Sequence, residues 1–165
     1  MDLTCKSMKI MTESIKKLVE DIDKKEKDIL KDSEKLIKNS FKEFFNKNPE
    51  AAFISWTQYS PYFNDGDACT FGVYDPELHL VPSYNEMLSE AEPYFDESDV
   101  YSCGENCAQT ILGNTKDKRL KEIFKDYLNL TEVFCLEKGF EEAFGNHVIV
   151  VASKEGFDIS SHDHD

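Results

Sequence analysis

The chain has few of the residues and motifs on which the common forms of catalysis and phosphate binding depend. Among its 165 residues there is a single arginine, Arg119, so a clamp for an oxyanion or a phosphate would need lysines or backbone amides. The GxSxG and HExxH patterns are missing from the sequence, as are GxxxxGK[ST] and GxGxxG. These absences remove sequence support for nucleophilic hydrolysis, for zinc-peptidase chemistry and for phosphate-loop nucleotide binding.

Long apolar runs and regular cysteine spacing are also missing. No apolar stretch approaches the ~18 residues of a membrane span, and no basic start leads into an apolar signal segment. We therefore expect no membrane association and a location in the reducing cytoplasm. The five cysteines are odd in number and lack the spacing of a disulfide framework, which predicts free thiols. They are Cys5, Cys69, Cys103, Cys107 and Cys135. The CxxxC pair, Cys103 and Cys107, does not have the spacing typical of a zinc site.

Basic residues are scarce after residue 48. Residues 1–48 carry twelve lysines against ten acids, whereas the remainder carries seven basic residues against twenty-three acids, within a net charge of −14. A part this acidic repels phosphate backbones, which argues against duplex nucleic acid as a partner. A basic protein surface or a cation is compatible with it, and acidity that serves only solubility is the simpler interpretation.

The N-terminal segment is predicted to be a long helix, because it contains neither glycine nor proline from Leu3 to Asn48. From Met8 to Ile22 its apolar residues fit a heptad seam typical of a coiled coil. The charged run Lys24–Asp28 interrupts the seam, which resumes shifted by about one position. The helix either projects and pairs with another chain, or folds back at the charged run. No turn residue marks a bend at the charged run, which favours a helix that projects from the domain. Residues 8–30 are then predicted to contact a protein partner or a second copy of the chain.

The segment after the Asn48–Pro49 helix stop is predicted to form a hairpin. Ala51–Tyr59 is rich in β-branched and aromatic residues, as strands are. A second strand is predicted over Ala68–Tyr74, closed by Asp75–Pro76, with a short edge strand at Leu78–Val81.

The C-terminal part is predicted to combine helices with a second hairpin. The predicted helices are 105–112, 116–128 and 130–144, and the predicted strands are 148–152 and 157–160. The fold class is therefore α+β: a long helix at 1–48, then a globular domain at 49–165 with a small antiparallel sheet of four to five strands and helices packed on one face. Residues 83–102 form an acidic excursion within that domain, whose length predicts either function or mobility.

The stretch Trp56–Asp67 reads WTQYSPYFNDGD and resembles a signature of small proteins from tailed phages, related bacterial elements and large DNA viruses. Those proteins also end in a hairpin that closes with His-Asp, as Gly145–Asp165 does here. The chain departs from the pattern at Ser60, where the family has threonine, and in the insert at 83–102. The resemblance implies a viral or phage-like accessory protein of the host cytoplasm and no defined chemistry.

The same stretch is the candidate ligand-binding site. Its rings can stack on a planar ligand while amide and carboxylate groups form hydrogen bonds. Alternate residues of a strand share a face, so Trp56 and Gln58 are expected opposite Tyr59. The alternative is that these aromatic residues belong to a helix-covered core. The predicted ligand-binding residues are Trp56, Gln58, Tyr59, Tyr62, Asn64 and Asp65.

A divalent cation is a second possibility at this loop. Asp65 and Asp67 offer hard oxygen ligands across a glycine turn, and His162 and His164 offer imidazoles in the terminal HDHD. If the terminal strand lies beside the first hairpin, these groups converge, and a metal held there can activate water. Alternatively, the aspartates are simply good turn residues and the terminal histidines belong to a frayed tail.

The sequence thus predicts a non-enzymatic acidic accessory protein that acts through protein–protein interaction and self-association, with no cofactor. Two alternatives stay open. One is a small-ligand binding or sequestering protein that uses the loop from Trp56 to Asp67. The other is a metal-dependent hydrolase built from the aspartates and histidines named above.

Overall fold

The N-terminal segment forms one continuous helix, α1 (Leu3–Lys47), of 45 residues. The computed structural model describes residues 3–62, 66, 68–82 and 105–163, with the backbone alone for 3–12, 14 and 105–107. At 1.5 Å per residue the helix is about 68 Å long, and it does not fold back at the charged run. The Asn48 side chain closes its last turn, because Nδ2 donates to the Phe44 carbonyl oxygen at 3.1 Å.

Four antiparallel strands follow, in the spatial order β2-β1-β3-β4. The strands are β1 (Ala51–Tyr59), β2 (Gly72–Leu80), β3 (Val148–Ser153) and β4 (Gly156–Ser161). The predicted bounds of β1 are confirmed, as are the α+β class and the second hairpin, β3–β4. The terminal strand lies beside β3, which separates it from the first hairpin, so β4 pairs with neither β1 nor β2.

Strand β2 differs from its prediction. It runs through Asp75–Pro76 instead of ending there, and it absorbs most of the segment predicted as a separate edge strand. The pairing with β1 shifts by one residue at this point, since Ser55 pairs with Glu77 but Thr57 pairs with Tyr74. Asp75 takes a φ of 50° at the bulge. Because β2 lies at the edge of the sheet, the bulge and the proline interrupt no pairing on its outer side.

Among the described residues, three helices and a short 3₁₀ turn lie between the two hairpins along the chain. They are α2 (Glu105–Asn114), α3 (Lys118–Thr131), the 3₁₀ turn (Glu132–Cys135) and α4 (Glu137–Phe144). Helix α3 begins at an N-cap, where a carboxylate oxygen of Asp117 accepts from the Leu120 amide at 2.7 Å. The prediction of one continuous helix over 130–144 is wrong, because the chain leaves the helical conformation at Leu136.

The core lies between one face of the sheet and the helices. Phe41 of α1 stacks on Trp56 of β1 with ring centroids 5.2 Å apart, and the C-terminal part of α1 supplies Ile37, Phe44 and Phe45 as well. The core therefore extends across residue 48, the predicted boundary between the helical segment and the globular domain. The acidic excursion at 83–102 lies outside the described residues.

The only arginine joins α3 to the connection between α1 and β1. Arg119 Nη2 and Nε donate to the two carboxylate oxygens of Glu50 at 2.6 and 2.9 Å, and Nη2 also donates to the Lys47 carbonyl oxygen at 3.0 Å. The hydrogen bonds from Arg119 hold the pKa of the Glu50 carboxyl below its usual value. Folding therefore favours the ionised form of Glu50.

We expect the stabilisation from Glu50 to be lost at acid pH. Because the pKa is lower in the folded than in the unfolded protein, the stabilisation is complete above the unfolded pKa and disappears as the pH falls through the folded value. Glu50→Gln should cost about 1 kcal/mol at pH 7, since the pair is partly exposed, and less at pH 3, because the carboxyl takes up protons as the pH falls below its unfolded pKa. Urea unfolding of both proteins at each pH measures this, and a difference that does not change with pH contradicts it.

Candidate functional site

Two of the predicted ligand-binding residues, Trp56 and Gln58, lie in the core. Trp56 is 1% exposed and Gln58 0%. The Trp56 Nε1–H donates to Gln58 Oε1 at 2.9 Å, and Gln58 Nε2 donates to the carbonyl oxygens of Phe140 (3.1 Å) and Gly145. The polar groups of both side chains thus have partners inside the protein, and neither side chain is accessible to a ligand in this conformation.

The predicted residues Tyr59 and Tyr62 lie elsewhere, near one end of the sheet. Tyr59, on the face opposite the core, stacks on Tyr74 with ring centroids 4.5 Å apart and has the His162 ring at 5.6 Å. Tyr62 is 66% exposed and stacks on His147 at 4.7 Å and 10° between ring planes. We call these five residues the tyrosine–histidine cluster.

The backbone places the two histidines of this cluster opposite each other. The His162 amide donates to the His147 carbonyl oxygen at 2.8 Å, which continues the β3–β4 ladder by one pair. His147 has a φ of 56°. The preceding Asn146 accepts from the Ser60 amide at 2.9 Å and donates to the Ser60 hydroxyl at 3.0 Å. Asn146 therefore fastens the start of the loop after β1 to the turn before β3.

The cluster offers planar rings and imidazole nitrogens. Burial raises the pKa of the Tyr74 phenol, and nearby Tyr59 and Glu137 add to the rise. Of the predicted metal ligands, only His162 is at this end of the sheet among the described residues. Asn64, Asp65, Asp67 and His164 lie outside them. Within the part of the chain that the structure describes, no three histidine, cysteine or acidic residues are grouped so as to hold a metal ion. The ligand and metal hypotheses stay predictions.

A second group on the same sheet face was missed by sequence reasoning. Ser55 Oγ lies 3.1 Å from His79 Nε2, a carboxylate oxygen of Glu77 lies 3.8 Å from the same nitrogen, and Phe53 stacks on the imidazole at 4.1 Å. A serine–histidine–acid relay uses the two different ring nitrogens, whereas here both oxygens face one. The grouping depends on the register between β1 and β2 and on its bulge, and no local pattern in the sequence predicts either of them.

Helix α1 presents a row of exposed apolar residues, which we call the seam. Each side chain is at least half exposed, a large fraction for residues of this kind. They are Ile15 (53%), Leu18 (60%), Val19 (50%), Ile22 (53%), Ile29 (64%) and Leu36 (53%). Four of them, Ile15, Ile22, Ile29 and Leu36, are spaced by seven residues, the repeat of a coiled coil.

The seam explains why the apolar heptad pattern of the sequence shifts by about one position after the charged run Lys24–Asp28. The seven-residue spacing runs straight through the charged run to Ile29 and Leu36 on the exposed face of the helix. The residues of the shifted pattern, such as Ile37 and Phe41, are 0% and 1% exposed and belong to the core. Two stripes therefore overlap on one helix, one directed at the protein's own core and one left uncovered.

An apolar groove of about 570 Å³ adjoins the seam, between α1 and the segment Cys135–Gly139. Its residues on α1 are Ile22, Lys25, Glu26, Ile29, Leu30 and Ser33. Gly139 lines the groove, and a Cβ at this position would lie 2.8 Å from the Ser33 Cβ, so only glycine lets α4 approach α1 this closely. Lys138 Nζ lies 3.5 Å from a carboxylate oxygen of Glu26 and links the two sides of the groove.

No helix among the described residues has the length and apolar character needed to cross a membrane. Comparison of the chain with protein-family models, with curated proteins and with solved structures gives no significant match. The resemblance carried by Trp56–Asp67 therefore stays a prediction.

Proposed function

We propose that this protein acts by self-association and by contact with protein partners rather than by catalysis, with α1 as the association element. The observation that carries the proposal is the seam: four large aliphatic residues at seven-residue spacing, each more than half exposed. β-branched residues at this spacing, as at Ile15, Ile22 and Ile29, are typical of helices that pair. An accessory protein of viral or phage-like origin fits such an activity, and that origin belongs to the proposal.

Burial of the seam would supply a substantial driving force. Full burial of an aliphatic side chain stabilises by roughly 1.5–3 kcal/mol, so covering one that is about half exposed contributes roughly 1 kcal/mol. The six seam residues extend from Ile15 to Leu36, about 32 Å along the helix axis. A contact of this length is of the kind that holds two helices together, and its burial is shared by both chains.

The charge distribution favours a second copy of this chain as the partner. Residues 13–36 carry seven lysines and eight acids, a net charge of −1, whereas the whole chain carries −14. Two copies repel each other through most of their surface, but their α1 helices can approach with little net repulsion. An acidic or a strongly basic partner would gain little from so balanced a surface.

The experiment compares two double variants by sedimentation equilibrium from about 1 to about 200 µM, a range that brackets micromolar association. Ile22→Gln with Ile29→Gln removes two seam residues. Lys24→Gln with Asp28→Gln introduces the same new side chains on the opposite side of the helix, about 200° and 240° round from Ile22, and leaves the net charge unchanged. We expect the seam variant to raise the dissociation constant at least about tenfold, because every 1.4 kcal/mol lost is a factor of ten.

The charge-neutral control variant should associate like the unaltered chain, with a mass above the 19.0 kDa of one chain at the upper concentrations. Circular dichroism confirms that both variants keep the helix content. A wild-type chain that stays at 19.0 kDa throughout the range overturns the proposal. So does equal association of the two variants.

A further inference from the structure

We propose that the groove between α1 and Cys135–Gly139 is the second half of the association surface, and that it receives α1 of a second copy. This inference rests on the proposed self-association and adds a part of the globular body to the interface. Two residues, Ile22 and Ile29, belong both to the seam and to the groove. A helix that covers the seam at these residues must also lie against the opposite wall of the groove.

The wall is formed by the end of the 3₁₀ turn and the first turn of α4. Cys135 at its rim is an exposed free thiol, and Leu136 is partly buried against the core. The close approach at Gly139 holds the wall next to α1, so the groove is bounded on one side by a helix and on the other by the body. The seam residues Ile15, Leu18, Val19 and Leu36 line no part of this groove, so within the seam only Ile22 and Ile29 have this wall beside them.

The charges of the groove suit a copy of the same chain. Its charged lining residues are two lysines and two acids, namely Lys25, Lys138, Glu26 and Glu137. In a twofold interface the same surface is used twice, so a surface with equal numbers of both signs can match itself. The partner's helix would bring the balanced residues 13–36 to a groove that is itself neutral. A small apolar ligand is the other occupant that the apolar lining would admit.

Cys135 provides the test, with Cys69 as the matched control in the same molecule. Both thiols are free and exposed, and Cys69 lines no part of the groove. The full chain is treated briefly with N-ethylmaleimide below and above its association range, and the modification of each cysteine is measured by mass spectrometry of peptides. We expect Cys135 to react about fivefold or more slowly in the associated protein, since reaction of a thiol requires access to it, while Cys69 is unchanged.

The seam variant Ile22→Gln with Ile29→Gln separates the possible outcomes. Protection of Cys135 that increases with concentration in the unaltered chain and is lost in this variant supports the inference. If the unaltered chain associates while Cys135 reacts equally fast at all concentrations, the groove is not occupied, and the proposed function stands without this inference. Slow reaction of Cys135 in the monomeric variant means that a small ligand or the chain itself covers the groove, and it overturns the inference. A chain that is monomeric throughout overturns both.

Discussion

Replacing Trp56 by alanine is expected to lower the free energy of unfolding by about 3–5 kcal/mol, the cost of removing a large buried aromatic residue. Trp56 is 1% exposed and stacks on Phe41. It also makes edge contacts with the rings of Phe134, Phe140 and Phe144 at centroid distances of 5.5–5.7 Å. One side chain thus joins β1 to α1, the 3₁₀ turn and α4, and the remaining structure cannot fill the space it leaves.

Urea unfolding followed by circular dichroism measures this loss, because the variant has no tryptophan to report by fluorescence. Tyr62→Ala is the matched control in the same predicted site, and we expect it to change stability by no more than about 0.5 kcal/mol, since the residue is exposed. A loss for Trp56→Ala below about 1 kcal/mol would contradict the core assignment. If the protein with alanine does not fold, Trp56→Phe provides a milder comparison.

Replacing Gln58 by leucine is expected to lower the free energy of unfolding by roughly 2–5 kcal/mol. The leucine has about the same size but removes the acceptor of the Trp56 indole N–H and the donor for the carbonyl oxygens of Phe140 and Gly145. Two buried polar groups and the partly buried Gly145 carbonyl oxygen then lose a partner, and each buried group left unsatisfied costs about 1–3 kcal/mol. Leucine is destabilising at this position of the apolar core because the groups that face it are an indole N–H and two backbone carbonyl oxygens.

A double-mutant cycle with Trp56→Phe isolates one of these hydrogen bonds. In the phenylalanine background there is no indole N–H to leave without an acceptor, so Gln58→Leu should cost about 1 kcal/mol less than in the unaltered chain. Thr57→Val, on the other face of the same strand, is the control and should have a small effect. Equal stability of Gln58→Leu and the unaltered chain would show that the amide does not satisfy these groups.

Local features were the ones that could be predicted. The helix ends where Asn48 and Pro49 stop it, and β1 occupies Ala51–Tyr59 because its residues have the branched and aromatic side chains that strands favour. The alternation along β1 also separated Trp56 and Gln58 from Tyr59 correctly. On α3 the apolar stripe is buried, with Leu120, Ile123, Phe124 and Tyr127 each 0% exposed.

Features that depend on pairing between distant segments could not be predicted. A proline usually ends a strand, but here a bulge at the edge of the sheet accommodates Pro76 within β2. The Ser55–His79–Glu77 group forms only in that shifted register. The shift in the heptad pattern is the overlap of a buried and an exposed apolar stripe on α1. The two stripes could not be distinguished from the sequence, because it does not indicate which face of α1 the rest of the protein covers.

The sequence by itself determined α1, β1, the acidic composition and the seven-residue spacing, since these follow from side-chain chemistry and periods of a few residues. Tertiary structure alone decided that Trp56 and Gln58 belong to the core and that Ile15, Ile22, Ile29 and Leu36 are left uncovered. The reason is physical: whether an apolar or polar side chain is buried depends on which distant helix packs over it, and here the body covers only one side of α1.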